Sequence, residues 1–253
     1  MKASATSLLF SGALACALAT LALGAGCGTG GASKPAAAKT DANAITAIDI
    51  LLEPDDTMLR HAQAVNERLL GVFPKGFSLD ATHRPHITLV QRFVLTEDLD
   101  KVYAAVGRVF ASNDVTGLKL EAIKHYYFPD KELGLAGIVI KPTPELIQLE
   151  MQVIDAVTPF VVKTGTSAAF VTTPEDPEVI PALITYVSDF VPESCGEKYH
   201  PHVSTGLAPR EYLDKMLAEP FETFTFSPTG AAVYQLGNYG TAAKQLKEWK
   251  LKH

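Results

Sequence analysis

A short tetrapeptide occurs twice in the chain and carries side chains that are suited to catalysis. One copy reads Pro-His-Ile-Thr and ends at Thr88, and the other reads Pro-His-Val-Ser and ends at Ser204. The aliphatic and β-branched residues in each copy favour a strand, in which residues i and i+2 point to the same face. Each copy is therefore expected to present one imidazole and one hydroxyl together, from His86 with Thr88 and from His202 with Ser204.

Two imidazoles on opposite sides of a phosphate suit phosphoester transfer. The unperturbed pKa of histidine is about 6.5, so near neutral pH one ring can serve as a general base and the other as a general acid. Neighbouring hydroxyls can donate hydrogen bonds to the non-bridging oxygens, where charge gathers in the transition state. A metal is not required if the substrate carries its own nucleophile or takes an activated water. The residues themselves do not assign base or acid to either histidine.

Further histidines beside both motifs leave a metal site as an alternative. His83 precedes His86 by three positions, and His200 precedes His202 by two. Imidazoles bind zinc, copper and nickel well. Because no acidic or cysteine ligand has a matching spacing, a metal-dependent hydrolase that uses these histidines is the less favoured interpretation.

Several other residues have both a functional and a structural interpretation. Arg84 and Arg92 flank the first motif and either supply local positive charge or lie at the surface at the strand ends. Cys195 has no catalytic cysteine signature around it, so an unpaired loop cysteine is favoured over a nucleophile. Four tyrosines either stack on a nucleobase or pack as strand and core aromatics: Tyr126, Tyr127, Tyr234 and Tyr239.

The pattern of apolar and turn residues predicts the elements that position the motifs. Helices and strands alternate, but several strands are neighbours along the chain, which is typical of an α+β fold rather than of a doubly wound parallel sheet. The turn-rich region 163–195 lies between the motifs and is predicted to form a lid or rim over the site. Strands are expected near 45–52, 86–93, 117–127, 135–141, 200–207, 221–226 and 230–236, and helices near 55–70, 96–110, 143–157, 182–189 and from 209 onward.

Length and charge restrict the classes of partner. The 253 residues suit one large domain or two small ones, and three cysteines are too few for a disulfide scaffold. The chain has 22 basic and 28 acidic residues, a formal net charge of −6, and its isoelectric point is about 5.6. This balance argues against a wide basic surface that holds a long nucleic acid, although not against a small basic pocket.

The first 43 residues have the composition of an export signal and a tether. Residues 1–26 combine a basic start, an apolar middle and a small-residue end, which predicts a lipoprotein-type secretory signal with Cys27 as the lipidated residue. Residues 27–43 are small and polar, as in a flexible tether, and the folded domain is expected to span residues 44–253. Loss of the signal leaves 21 basic and 28 acidic residues, a formal charge of −7. The predicted location is the cell envelope, lipid-anchored, with a periplasmic or secreted protein as the alternative.

The paired motifs resemble those of the two-histidine (2H) phosphoesterases, the superfamily of the LigT-like RNA 2′,3′-cyclic phosphodiesterases and 2′–5′ RNA ligases. The segment from Ala232 to Gly237 is also similar to the final strands of that family, and the resemblance covers roughly residues 44–253. It implies a bilobal α+β fold, in which two pseudo-symmetric lobes with mainly antiparallel sheets surround a central cleft. One motif would lie on each lobe, although their separation of 116 residues is long for a compact member.

The same resemblance implies residue roles and a substrate class. His86 and His202 would form the catalytic acid–base pair, and Thr88 and Ser204 would bind the phosphate, with no metal or other cofactor. The substrate would be a small nucleotide or short RNA end with a 2′,3′-cyclic phosphate or a 2′–5′ diester. The other expected partner is a membrane, through the lipid on Cys27, and no stable protein partner is predicted. Besides the metal-dependent hydrolase, a non-catalytic envelope lipoprotein that binds a phosphorylated ligand remains an alternative.

Overall fold

A computed structural model of the protein describes residues 43–174 and 177–251. The predicted secretory signal, the candidate lipid site Cys27 and the tether as far as residue 42 lie outside the described residues, so these features stay predictions. Within the described part of the chain, no helix is both long enough and apolar enough to cross a bilayer.

The described residues form two sheets, and every pair of neighbouring strands in them is antiparallel. The predicted α+β class is therefore confirmed. The strands are β1 (Ile45–Pro54), β2 (Ile87–Leu95), β3 (Leu120–Asp130), β4 (Leu133–Ile140), β5 (Val161–Val162), β6 (His202–Pro209), β7 (Phe224–Phe226), β8 (Pro228–Leu236) and β9 (Ala242–Lys250), and the helices are α1 (Asp56–Val72), α2 (Leu99–Ala111), α3 (Pro144–Val157), α4 (Pro181–Ser194) and α5 (Arg210–Leu217).

The two motifs belong to different sheets. The first sheet has the strand order β5-β2-β1-β8-β9, so that β1 occupies its centre and β2, which follows His86, lies next to it. The second sheet has the order β6-β4-β3-β7, and β6 begins at His202. The chain thus places one motif on each sheet, at positions 116 residues apart in sequence.

One apolar core extends beneath both motifs. Ile87 and Leu89 from the first motif strand and Val203 from the second are fully buried, and they belong to the same cluster of contacting side chains. The inward faces of α2 and α3 contribute Val106 and Val153 to this cluster. Since strand residues alternate between faces, burial of these aliphatic positions turns the intervening polar positions away from the core.

Helix α1 ties the second motif strand to the loop that precedes the first motif. Asp55 caps this helix by accepting hydrogen bonds from the N–H groups of Thr57 and Met58. In the second half of the helix, the fully buried Asn66 donates from Nδ2 to the carbonyls of Phe77 (2.9 Å) and Thr205 (2.8 Å). Its Oδ1 accepts from the N–H of Leu79 at 3.2 Å.

A glycine makes the contact between Asn66 and β6 possible. Gly206 has a φ of +140°, which favours glycine, and a Cβ atom placed there would lie 2.9 Å from Asn66 Nδ2. A side chain at this position would therefore displace the amide that satisfies the Thr205 carbonyl.

Replacing Asn66 by alanine is expected to lower the free energy of unfolding by about 2–5 kcal/mol, because buried backbone groups on two segments lose their partner. The matched control is Gln63→Ala on the exposed side of the same helix, whose side chain bonds with Glu67, and it should change stability by less than about 0.5 kcal/mol. Urea unfolding measures both values. Equal effects of the two substitutions would show that the Asn66 bonds do not stabilise the fold.

Candidate active site

Each motif histidine is oriented by the same kind of bond, from its ring to the backbone carbonyl two residues earlier. The Nδ1–H of His86 donates to the carbonyl of Arg84 at 2.6 Å, and the Nδ1–H of His202 donates to the carbonyl of His200 at 2.8 Å. A carbonyl can only accept, so each Nδ1 carries a proton. The atom left for chemistry on both rings is therefore Nε2.

Corresponding β-bulges follow the two histidines. The pairing of β2 with β1 skips Leu89, and the pairing of β6 with β4 skips Thr205, each three residues after the motif histidine. A bulge inserts one residue and shifts the alternation of side chains. In the first motif this shift allows Thr88 and Gln91, which are three positions apart, to bond with the same group on β1.

That group is the carboxylate of Asp49, which lies fully buried on the central strand. Its Oδ2 accepts hydrogen bonds from Thr88 Oγ1 at 2.7 Å and from Gln91 Nε2 at 3.0 Å. His86 Nε2 lies 3.3 Å from the same oxygen. Three donor groups thus converge on Oδ2, whereas Oδ1 is buried and has no hydrogen-bond partner among the described residues.

The two histidines have opposite protonation tendencies because their surroundings differ. Burial acts to lower the pKa of His86, but the contact with Asp49 and the bond to the Arg84 carbonyl outweigh it, so this pKa lies above the ordinary value. Burial, with a smaller contribution from the charges of His200 and His86, lowers the pKa of His202 to about 4, against the opposing effects of the bond to the His200 carbonyl and the charge of Asp49. His86 therefore keeps its proton to a higher pH than His202, which is a neutral imidazole near pH 7.

Several contacts bring the two motifs together across the sheets. Tyr199, three residues before His202, donates its hydroxyl to the Thr88 carbonyl at 2.7 Å. The charge of His86 acts on His202 directly, as does that of Asp49. The bond from Tyr199 and the electrostatic influence of His86 on His202 therefore indicate that the two motifs face one another, and their role as one catalytic pair stays a prediction.

The ring of Tyr126 forms a wall beside the second histidine. It meets the ring of His202 edge-on, with 4.9 Å between the centroids, and contacts His200 in the same way at 5.1 Å. Gly137 on β4 provides the space, since a Cβ atom there would lie 2.7 Å from Tyr126 Cε1. Tyr126 therefore limits how the His202 ring can move.

The two predicted phosphate-binding hydroxyls have different surroundings. The proton of Thr88 is donated to Asp49 in this structure, so Thr88 can donate to another group only after its hydroxyl turns. Ser204 shares its face of β6 with His202 and bonds with no other group among the described residues. Ser204 is thus the hydroxyl with an available proton.

Within the described residues, the side chains of the flanking arginines and of the additional histidine in the first motif do not contact the groups around Asp49 or His202. Arg84 donates from Nε to Glu53 at 3.1 Å, and burial lowers the pKa of Arg92. His83 stacks on Phe77, with 4.5 Å between the ring centroids. In the described parts of the chain, no group of three or more His, Cys, Asp or Glu side chains is arranged to hold a metal ion.

The other tyrosines singled out by the sequence lie in different places. Tyr127 donates its hydroxyl to Asp214 at 2.6 Å, and Tyr234 is buried and donates to Gln245. Both are structural, as the alternative interpretation proposed. Tyr239 has a positive φ of 56° and lies near Phe77, with 6.4 Å between the ring centroids.

Cys195 belongs to a buried polar cluster rather than to the site. Burial raises the pKa of its thiol, and the neighbouring Glu150 adds to the rise, so the thiol is protonated at neutral pH. Glu150 is itself fully buried and accepts from the N–H of Gly196 at 3.0 Å. These contacts fix the loop that leads to Tyr199, which agrees with the interpretation of Cys195 as an unpaired loop cysteine.

The turn-rich region between the motifs contains α4, which is longer than the sequence predicted. Leu183 and Val187 of this helix pack against Phe93 of β2. Tyr186 on the same helix is partly exposed, and the charge of Asp49 acts on its hydroxyl. Burial raises the pKa of Tyr186 to about 12, so its hydroxyl is neutral near the site.

The sequence analysis did not select Asp49, Gln91, Tyr186 or Tyr199. Asp49 did leave a signal, since it is a single acidic residue in the apolar run Ile-Thr-Ala-Ile-Asp-Ile-Leu-Leu. Acidic residues are almost never fully buried without a partner, so a charge within a buried strand marks a polar contact.

Similar solved structures include E. coli LigT complexed with ATP, which is 14% identical with a TM-score of 0.40 and covers 83% of this chain and 100% of that chain. The protein TT0787 of Thermus thermophilus is 14% identical with a TM-score of 0.48 over 81% of this chain and 98% of that one. Usb1 of Kluyveromyces marxianus is 11% identical with a TM-score of 0.41 over 81% and 99%. No family model and no curated protein matches the sequence.

LigT, whose name the family that the two motifs resemble also carries, is thus among the structures found. At these identities and TM-scores the likeness assigns neither an activity nor a residue role to this chain. Both have to be argued from the geometry of the site.

The unequal protonation of the two histidines can be measured by NMR titration of their ring protons. We expect a midpoint above 6.5 for His86 and near 4 for His202. An Asp49→Asn substitution should lower the midpoint of His86, because it removes the charge that favours the imidazolium.

Glu53→Gln is the matched control, because Glu53 is a second buried acid on β1 that pairs with Arg84 instead. It should leave the midpoint of His86 nearly unchanged. The same shift in both variants, or a wild-type midpoint of His86 below that of His202, would contradict the proposed proton states.

Proposed function

We propose that the protein is a metal-independent phosphoesterase. Its substrate would be a nucleotide or RNA end with a 2′,3′-cyclic phosphate or a 2′–5′ phosphodiester. The observation that carries the proposal is the pair of imidazoles with opposite protonation tendencies, each tied to the backbone through Nδ1. A general acid and a general base are what phosphodiester hydrolysis requires on the two sides of phosphorus.

The proton states assign a role to each histidine. Neutral His202 has a lone pair on Nε2 and takes a proton from the attacking water as the new P–O bond forms. The His86 imidazolium donates its Nε2 proton, which faces Asp49 Oδ2 at 3.3 Å in this structure, to the leaving oxygen as the old P–O bond breaks. His202 ends protonated and His86 neutral, so one proton has to pass between each ring and solvent before the next turnover.

The hydroxyls act on the charge that develops at phosphorus. Ser204 is placed to donate to a non-bridging oxygen, since its proton is not used within the described site. Thr88 can join it if its hydroxyl turns from Asp49 to the phosphate. The acidic net charge of the chain favours a small ligand or a short end over a long polymer.

Loss of either histidine should remove the activity, and a chelator should not. Hydrolysis of a 2′,3′-cyclic nucleotide in excess EDTA is expected to fall by about 10²- to 10⁴-fold in His86→Ala and in His202→Ala, because each removes a proton-transfer group. His61→Ala is the control, since His61 stacks on Phe224 outside the site, and it should keep the wild-type rate.

A substrate with a p-nitrophenolate leaving group separates the acid from the base. This leaving group departs without a proton, so His86→Ala should regain most of its lost rate on a p-nitrophenyl diester, whereas His202→Ala should not. Equal rescue of both variants would contradict the assigned roles. Activity abolished by EDTA would support the metal-dependent hydrolase, and tight binding without turnover would support the binding lipoprotein.

A further inference from the structure

The phosphate position that the proposed function requires lies beside a buried negative charge. A phosphate between the two Nε2 atoms has an oxygen within hydrogen-bond distance of His86, and His86 Nε2 lies 3.3 Å from Asp49 Oδ2. Asp49 is fully buried, so solvent screens its charge weakly. The charge of Asp49 also reaches His202 on the opposite side of the site.

The groups that surround Asp49 supply a single positive charge, which matches the charge of Asp49 itself. His86 supplies a cation, while Thr88 and Gln91 supply neutral donors. The charge of Asp49 also acts on three other titratable groups, His202, Tyr186 and Tyr199. The pKa values of both tyrosines are raised, so these two side chains are uncharged near neutral pH.

The arginines nearest to the first motif do not add to this compensation. Arg84 pairs with Glu53 at 3.1 Å, and its side chain is 47% exposed. Arg92 follows Gln91 on β2, so its side chain leaves the sheet on the face opposite to Asp49.

We propose that Asp49 makes the site selective for a monoanionic phosphodiester over a dianionic phosphate monoester. The inference rests on the proposed function and deepens it, because it names the charge state of the phosphate that the site accepts. A diester adds one negative charge to the pair formed by Asp49 and His86, whereas a dianionic monoester adds two. A monoester loses its second proton near pH 6, and above that pH its extra charge faces Asp49.

The same charge favours release of the product. Hydrolysis of a cyclic diester adds water, breaks one P–O bond and converts a monoanion into a monoester that becomes a dianion near neutral pH. The product is thus repelled by Asp49 more strongly than the substrate was. Asp49 acts here on the bound phosphate through its charge and takes no proton in the step.

The test compares two ligands that differ by one methyl group and one charge, thymidine 3′-phosphate and its methyl ester. Both lack the 2′-hydroxyl, and calorimetry gives their affinities for the full-length protein at pH 5 and pH 8. For the wild type we expect similar affinities at pH 5 and about a tenfold preference for the methyl ester at pH 8. Changes in histidine protonation act on both ligands, so the ratio of affinities reports the added charge.

Asp49→Asn should abolish the preference at pH 8 by strengthening the binding of the monoester, whereas Glu53→Gln should retain it. If Asp49→Asn fails to fold, the change of the wild-type ratio between pH 5 and pH 8 decides the question. A ratio that stays near one at pH 8, or the same preference in Asp49→Asn as in the wild type, would overturn the inference.

The outcomes also separate this inference from the proposed function. Cyclic nucleotide hydrolysis without discrimination between the two thymidine ligands would overturn the inference and leave the proposed function standing. Discrimination without hydrolysis would support the charge selectivity and overturn the proposed activity. If neither ligand binds, both are wrong, because the site is then not a phosphate site.

Discussion

A carboxylate at the centre of a five-stranded sheet must be surrounded by donors, and this requirement organises the site. Asp49 has no exposed surface, and its Oδ2 is the meeting point of Thr88, Gln91 and His86. Without these donors the burial of the charge would be strongly unfavourable. The β-bulge at Leu89 brings Thr88 and Gln91 to the same face of β2. The pairing of β2 with β1 therefore determines whether the Asp49 carboxylate has hydrogen-bond donors.

The same motif produces two different histidines because the neighbours of each copy differ. The backbone around the two histidines is alike: Nδ1 of each ring bonds to the carbonyl two residues earlier, and a β-bulge lies three residues later. His86 then faces a buried carboxylate, whereas His202 faces the ring of Tyr126 and another histidine. The repeat therefore supplies the geometry, and the residues outside the repeat supply the difference in proton affinity that acid–base catalysis uses.

Local features of the chain were predictable, and contacts between distant segments were not. The His-x-hydroxyl repeat, the strands that hold it and the Asp55 cap of α1 follow from short-range patterns. The role of Asp49 depends on the register that places it opposite Gln91, 42 positions away. The bond from Tyr199 to the Thr88 carbonyl spans 111 positions, and the amide of Asn66 reaches Thr205 across 139. Such pairings arise from the packing of whole elements, which a local pattern does not specify.

The central claim is that the two motifs bind one phosphate between them. A crystal structure of the protein with the methyl ester of thymidine 3′-phosphate tests it directly. The account predicts that phosphate oxygens lie within about 3.2 Å of Nε2 of both His86 and His202, with a non-bridging oxygen bonded to Ser204. A phosphate that contacts one histidine alone, or that binds away from both, would contradict it.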